Sequence, residues 1–119
     1  MGSHEITAAV VGTGHLGRHH VRLLAAMEGV RCLGAYDSDR ERLAAVTAAH
    51  GVPALESVAA ASAAEAVVVA TPTVSHREVA GELLAAGCHV LVEKPIAATV
   101  AEAEELVALA AAAGKVFAV

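Results

Sequence analysis

The stretch that decides the fold is Val10-Val11-Gly12-Thr13-Gly14-His15-Leu16-Gly17-Arg18-His19-His20. An apolar run over residues 6–11 ends on it, and a helical pattern over residues 15–28 leaves it. A buried strand that meets glycines spaced G-x-G-x-x-G and continues as a helix is a tight strand-to-helix turn. Gly12 would permit the sharp reversal, Gly14 would bare the backbone, and Gly17 would let the helix lie against the strand. Unpaired N–H groups at the helix start form an anion site at the positive end of the helix dipole. Glycine turns are common. The strand before and the helix after make this one a candidate cradle for a dinucleotide pyrophosphate, with His15 and Leu16 beside the phosphates.

Outward from this turn the chain keeps a regular beat. Apolar runs at residues 31–36, 66–70, 89–92 and 115–119 alternate with helical patterns at 39–50, 76–86 and 100–113. Gly29, Gly51, Gly87 and Gly114 each follow a helical stretch, where a left-handed residue closes a helix. Ser38 with Glu41, Ser75 with Glu78, and Thr99 with Glu102 have capping-box spacing. Residues 52–65 are weaker, with room for a very short strand in Val52-Pro53-Ala54-Leu55-Glu56-Ser57 and a helical turn behind it. Strands alternating with capped helices predict the α/β class. The sheet expected is doubly wound and parallel, of about six strands in the order 3-2-1-4-5-6. Runs without in-out alternation predict strands covered on both faces.

Composition narrows the function. The 119 residues suffice for one core and not for two. Alanine supplies 30 of them, so helices should lie close to the sheet over small side chains. A net charge of −5 and an aromatic share of 2% argue against nucleic-acid binding, which needs a basic surface and stacking rings. No apolar run approaches the ~18 residues of a membrane span, and no secretory signal is present. Cys32 and Cys88 lack any ligand-like grouping and read as free thiols of a cytoplasmic protein. His15, His19 and His20 have no carboxylate or cysteine at ligand spacing, so no metal is expected. His19 and His20 read as helix surface or packing. Met1-Gly2-Ser3-His4 reads as a cloning remnant, leaving residues 5–119 as the domain.

Ligands of an open parallel sheet gather at the carboxyl ends of its strands. Asp37 ends the second run, 20 residues past Gly17. A carboxylate there can accept both adenosine ribose hydroxyls and repels a 2′-phosphate, which favours NAD over NADP. Ser38 follows on the same turn, and Arg40 and Arg42 can temper the preference. Thr71-Pro72-Thr73 closes the next clear run and His76 opens the helix behind it. These residues either line the groove or serve as turn and cap chemistry. Glu93-Lys94-Pro95 closes the following run. Two charges inside a buried strand would be costly, so they belong on a wet rim beside a ligand. Glu93 can accept from a ribose. Lys94 can donate to a substrate oxygen or take part in proton transfer. Pro95 fixes the turn, with a cis bond as one option.

Taken together, "GTGHLG" after the first strand, Asp37 after the second, "ATPTVSH" (residues 70–76) and "EKPIA" (residues 93–97) resemble the glucose–fructose oxidoreductase, inositol dehydrogenase and rhizopine catabolism (Gfo/Idh/MocA) family. The resemblance covers nearly all of residues 5–119, and the EKP element behind the others is its specific part. It implies a Rossmann domain that binds NAD or NADP, with Lys94 by the nicotinamide and substrate as the catalytic residue and Glu93 at the nicotinamide ribose. "PTVSH" and "LVEKPIAAT" look most like members that oxidise the 3-hydroxyl of UDP-N-acetylglucosamine. The family also carries a second α/β domain that supplies most of the substrate pocket and usually a catalytic histidine. Nothing in this sequence corresponds to it, and that role does not pass to His76 or His89.

The expectation is therefore the cofactor-binding half of an oxidoreductase, truncated, inactive by itself and homo-oligomeric. The parent enzyme would move a hydride between NAD and a hydroxyl-bearing carbon of a sugar, nucleotide sugar or cyclitol. The alternative is a stand-alone, non-catalytic nucleotide-sensing module. The EKP lysine argues against it, because a sensor has no need of a lysine at the nicotinamide.

Overall fold

Strands and helices alternate along the chain as β1 (Ile6–Val11), α1 (His15–Ala26), β2 (Val30–Tyr36), α2 (Arg40–His50), α3 (Val58–Ala61), β3 (Ala66–Val69), α4 (His76–Ala85), β4 (His89–Val92), α5 (Val100–Ala113) and β5 (Phe117–Ala118). A 3-10 turn at Thr73–Ser75 leads into α4. This is a computed structural model that describes residues 5–119; the proposed cloning remnant, residues 1–4, lies outside the described residues. All strand pairs are parallel, in the order β2-β1-β3-β4-β5. The order reverses between β1 and β3, and helices pack on both faces, as in a doubly wound sheet.

The weak strand expected near Pro53 is present only as a single parallel bridge, Ala35 with Ala54. Ala35 N–H donates to Pro53 O (3.0 Å) and Leu55 N–H to Ala35 O (2.7 Å). The next bond of a parallel ladder would need an N–H on Pro53, which proline lacks. Gly34 (φ +147°) sits at the register shift of β2, and a Cβ there would lie 2.4 Å from Pro53 O. Counting the bridge as third restores the expected order 3-2-1-4-5-6, with five true strands.

Successive residues of the central strands bury to opposite faces. Val11, Val67, Val69, Val90 and Val92 pack with Ala61 of α3, Ala80, Leu83 and Leu84 of α4, and Leu106 and Ala110 of α5. Val10, Ala35 and Val68 pack with Val21 of α1 and Leu43 and Val46 of α2. Each fully buried leucine stabilises the fold by roughly 1.5–3 kcal/mol relative to exposure. The expectation of cover on both faces fails at β4. Leu91 pairs laterally with Val68 on the α1/α2 face and is 38% exposed, because neither helix reaches that far along the sheet.

Helix ends follow the local signals with three exceptions. One is α1, which ends at Ala26 with Met27 as an extended cap, so Gly29 does not close it. Gly51 and Gly114 close α2 and α5 in the left-handed conformation, and Thr99 caps α5 by accepting from Glu102 N–H (3.1 Å). The cap of α2, however, is Asp39, which accepts from Arg42 N–H (3.1 Å), rather than Ser38. Ser75 makes no cap bond; its hydroxyl oxygen lies 2.8 Å from both Pro72 O and Thr71 Oγ1. Among the described residues no helix is long and apolar enough to cross a membrane.

Candidate functional site

The carboxyl ends of four strands are held level. Gly12 N–H donates to Tyr36 O (2.8 Å), Ala70 N–H to Val11 O (2.8 Å) and Glu93 N–H to Val69 O (2.9 Å). Asp37, Gly12, Ala70 and Glu93 therefore stand side by side along one rim of the sheet. Each is the first residue past its strand, free of the ladder on one side and able to face a ligand.

The three glycines of the first turn have three different surroundings. Gly12 has φ +97°, and a Cβ on it would come within 2.7 Å of the Ala70 carbonyl and Thr71 N. It serves the reversal and the close approach of β3. A Cβ on Gly17 would lie 1.7 Å from Gly12 O, so this glycine seats α1 on the turn itself rather than on the strand. A Cβ on Gly14 would meet nothing within 4 Å. Its missing side chain leaves open space in front of the helix start. Gly14 caps α1 without a side-chain bond, and the first turn carries no acid. The positive helix end is thus left for an outside anion.

That open space belongs to a cleft of about 530 Å³, within the roughly 300–1,000 Å³ typical of ligand sites. Gly12, Gly14, His15 and Leu16 line it at the start of α1; Asp37, Ser38, Thr71 and Pro72 line its walls. The sequence reading had all eight. It missed Val11, Tyr36, Val58, Ala70 and Val79, which give the same cleft its apolar walls, and Ser75, which adds a hydroxyl. Val58 and Val79 carry no motif; only the packing of α3 beside α4 brings them here.

Asp37 is 5% exposed, and its carboxylate is already engaged. Oδ2 accepts from Thr13 N–H (2.7 Å), Thr13 Oγ1 (2.9 Å) and Arg42 Nε (3.2 Å); Oδ1 accepts from Asp39 N–H (2.8 Å) and Arg42 Nη2 (3.2 Å). Burial alone would raise the Asp37 pKa. The Arg42 guanidinium, the two N–H groups and the Thr13 hydroxyl outweigh it and hold the carboxyl below the ordinary range. A carboxylate offers about four acceptor positions, so five donors leave none spare. The expectation that Asp37 accepts both ribose hydroxyls thus meets a limit: displacing Arg42, half-exposed at 48%, removes two of the five donors and frees one acceptor position.

The remaining expected residues lie outside the lining of the cleft. Gly17 is buried beneath the turn, and Thr73 sits in the 3-10 turn. His76 is 1% exposed and is directed at backbone: Nδ1 lies 2.9 Å from Pro95 O and Nε2 2.8 Å from Thr71 O. That burial sets the ring between two turns and outside the lining of the cleft. The ring ties the β3-end turn to the β4-end turn. The Lys94–Pro95 bond is cis. Lys94 is exposed, and among the described residues no hydrogen bond or ion pair engages its ammonium. Glu93 meets His20 Nε2 through Oε2 at 2.5 Å. His20, read from sequence as helix surface or packing, thus belongs to the rim. The available signal was its place on the inward face of α1, three residues past Gly17 and one before buried Val21.

No group of three His, Cys, Asp or Glu able to hold a metal ion exists among the described residues. Cys32 and Cys88 are free, and burial pushes both thiols above their usual pKa.

A reversing parallel sheet, a bare helix start in line with the first strand and a carboxylate on the second strand's end define a dinucleotide-binding domain of the Rossmann type. The chain belongs to the Gfo/Idh/MocA oxidoreductase family with an NAD-binding Rossmann fold, whose pattern matches residues 6–119. It is 39% identical over 107 residues to the UDP-N-acetylglucosamine 3-dehydrogenase of Acidithiobacillus ferrooxidans, covering 89% of this chain and 34% of that protein. It is 36% identical over 116 residues to inositol 2-dehydrogenase 1 of Saccharopolyspora erythraea, covering 92% of this chain and 34% of that protein. The solved structure of GenD2 from gentamicin A biosynthesis, in complex with NAD, superposes with a TM-score of 0.90 at 33% identity, covering 97% of this chain and 34% of that one. The chain thus spans about a third of the length of the relatives it matches.

Proposed function

We propose that residues 5–119 are the cofactor-binding domain of a dehydrogenase that transfers a hydride between NAD and a hydroxyl-bearing carbon of a sugar, nucleotide sugar or cyclitol. The observation that carries the reading is the level rim, with Asp37, Gly12, Ala70 and Glu93 neighbours on adjacent strands. Laid along it, the adenosine half of the cofactor meets Asp37 and Ser38, and the pyrophosphate meets Gly14, His15 and Leu16. Thr71, Pro72 and Thr73 form the wall of the turn beyond. The nicotinamide half reaches Glu93, Lys94 and Pro95. Bound NAD supplies the hydride acceptor.

Lys94 is the catalytic residue of this reading. Its exposed, unpaired ammonium can donate to the substrate oxygen and stabilise negative charge as the hydroxyl proton leaves. His76 and Gly17 support the site from beneath without touching the cofactor. The dehydrogenase names of the sugar and inositol relatives support the substrate class. Most of the substrate pocket is assigned to the part of the relatives that this chain does not span. NAD is preferred to NADP because Asp37 is ionised and buried at the adenosine end. Self-association of copies through the open β5 edge completes the proposal, and light scattering at rising concentration reads it.

Isothermal titration tests the cofactor assignment. NAD should bind with measurable heat, and NADP more weakly. Absence of heat with either at millimolar cofactor would overturn it.

A further inference from the structure

Glu93 is held at two points, and both bear on where its free oxygen lies. Its N–H donates to Val69 O (2.9 Å), which extends the β3–β4 ladder by one residue. Its Oε2 meets His20 Nε2 at 2.5 Å, across 73 residues of sequence. The pair is mostly buried, with side chains 22% and 23% exposed. Among the described residues Oε1 has no hydrogen-bond partner. His20 lies on the inward face of α1 with Gly17 and Val21, and the first turn of that same helix forms the phosphate cradle. One rigid element thus carries both the anion site and the group that orients Glu93.

We infer that His20 is a positioning residue for the nicotinamide half of the cofactor. By holding Oε2, it leaves Glu93 one acceptor, Oε1, in a single orientation for a ribose hydroxyl. Without His20 the carboxylate samples several rotamers, and it must be ordered when the ribose binds. The effect is confined to the half of the groove beyond the pyrophosphate. This inference rests on the NAD reading above, and the experiment separates the two.

The affinities of NAD and of ADP are measured on this chain and on His20→Ala, His20→Gln, Glu93→Ala and the double variant His20→Ala/Glu93→Ala. ADP carries the adenosine and phosphate half only. His20→Ala should weaken NAD by about three- to tenfold, the span expected for losing one partly exposed charged hydrogen bond. ADP affinity should stay within about twofold. His20→Gln, whose amide N–H can replace the imidazole donor, should restore most of the loss. The double variant should bind NAD no more weakly than Glu93→Ala, since His20 acts only through Glu93. Unchanged NAD affinity in His20→Ala, an equal loss for ADP, or losses that multiply in the double variant would each overturn the inference. A parent chain that binds neither ligand would instead overturn the NAD reading.

Discussion

The carboxylate of Asp37 accepts hydrogen bonds from both the backbone N–H (2.7 Å) and the hydroxyl (2.9 Å) of Thr13, a residue 24 positions earlier. Thr13 is the middle residue of the G-x-G turn and is 1% exposed. The end of β2 is therefore bolted to the glycine turn. The proposed adenosine and pyrophosphate ends of the groove are one unit, and changes at either should be felt at both.

The glycines of that turn should separate folding from binding. Gly12→Ala puts a Cβ against Ala70 and Thr71 at positive φ, and should cost about 2–4 kcal/mol of stability in urea melts. Gly14→Ala meets no atom, so stability should move by less than about 1 kcal/mol. NAD affinity should nevertheless fall by about tenfold or more, because the methyl occupies the anion's approach to the helix start.

Arg42 should act against NAD. It holds both oxygens of Asp37 at 3.2 Å, so a ribose must displace it. Arg42→Ala should tighten NAD by about two- to fivefold, the scale of a half-exposed ion pair. It should weaken NADP, whose 2′-phosphate loses its nearest guanidinium. Paired titrations read the ratio directly, and a fall in NAD affinity would contradict the competition.

Acid should loosen the same corner. The folded pKa of Asp37 lies below its ordinary value. Its contribution to stability is thus present above the unfolded carboxylate pKa, about 4, and is lost as pH falls through the depressed folded value. Asp37→Asn should flatten the fall in stability below about pH 4 in thermal melts. An unchanged acid limb would mean that other carboxylates dominate.

Lys94 should matter for chemistry and not for folding. It is exposed, and among the described residues no ion pair or side-chain hydrogen bond engages it. Lys94→Ala should shift stability by less than about 0.5 kcal/mol. In a full-length protein carrying this domain it should lower kcat by about a hundredfold or more while leaving NAD affinity nearly unchanged. Stopped-flow hydride transfer and calorimetry check the two halves.

Most of the architecture was legible along the chain because its signals are local. The apolar runs, the glycines that close α2 and α5 and the G-x-G turn each act within a few residues, where backbone sterics and helix dipoles decide the conformation. Even so, the cap of α2 went to Asp39 rather than Ser38, a choice between neighbours that spacing cannot make. The third strand shrank to one bridge because Pro53 lacks the next donor.

By itself the sequence determined the alternation of strand and helix, the glycine turn and the places of Asp37, Glu93 and Lys94 just past their strands. The tertiary structure alone decided what those residues touch. Arg42 lies on Asp37, His20 on Glu93, and His76 between the Thr71 and Pro95 carbonyls. The reason is geometric. Parallel strands need crossovers, so residues that are neighbours on the rim are far apart in sequence. Which side chains meet there depends on how the helices settle onto the sheet.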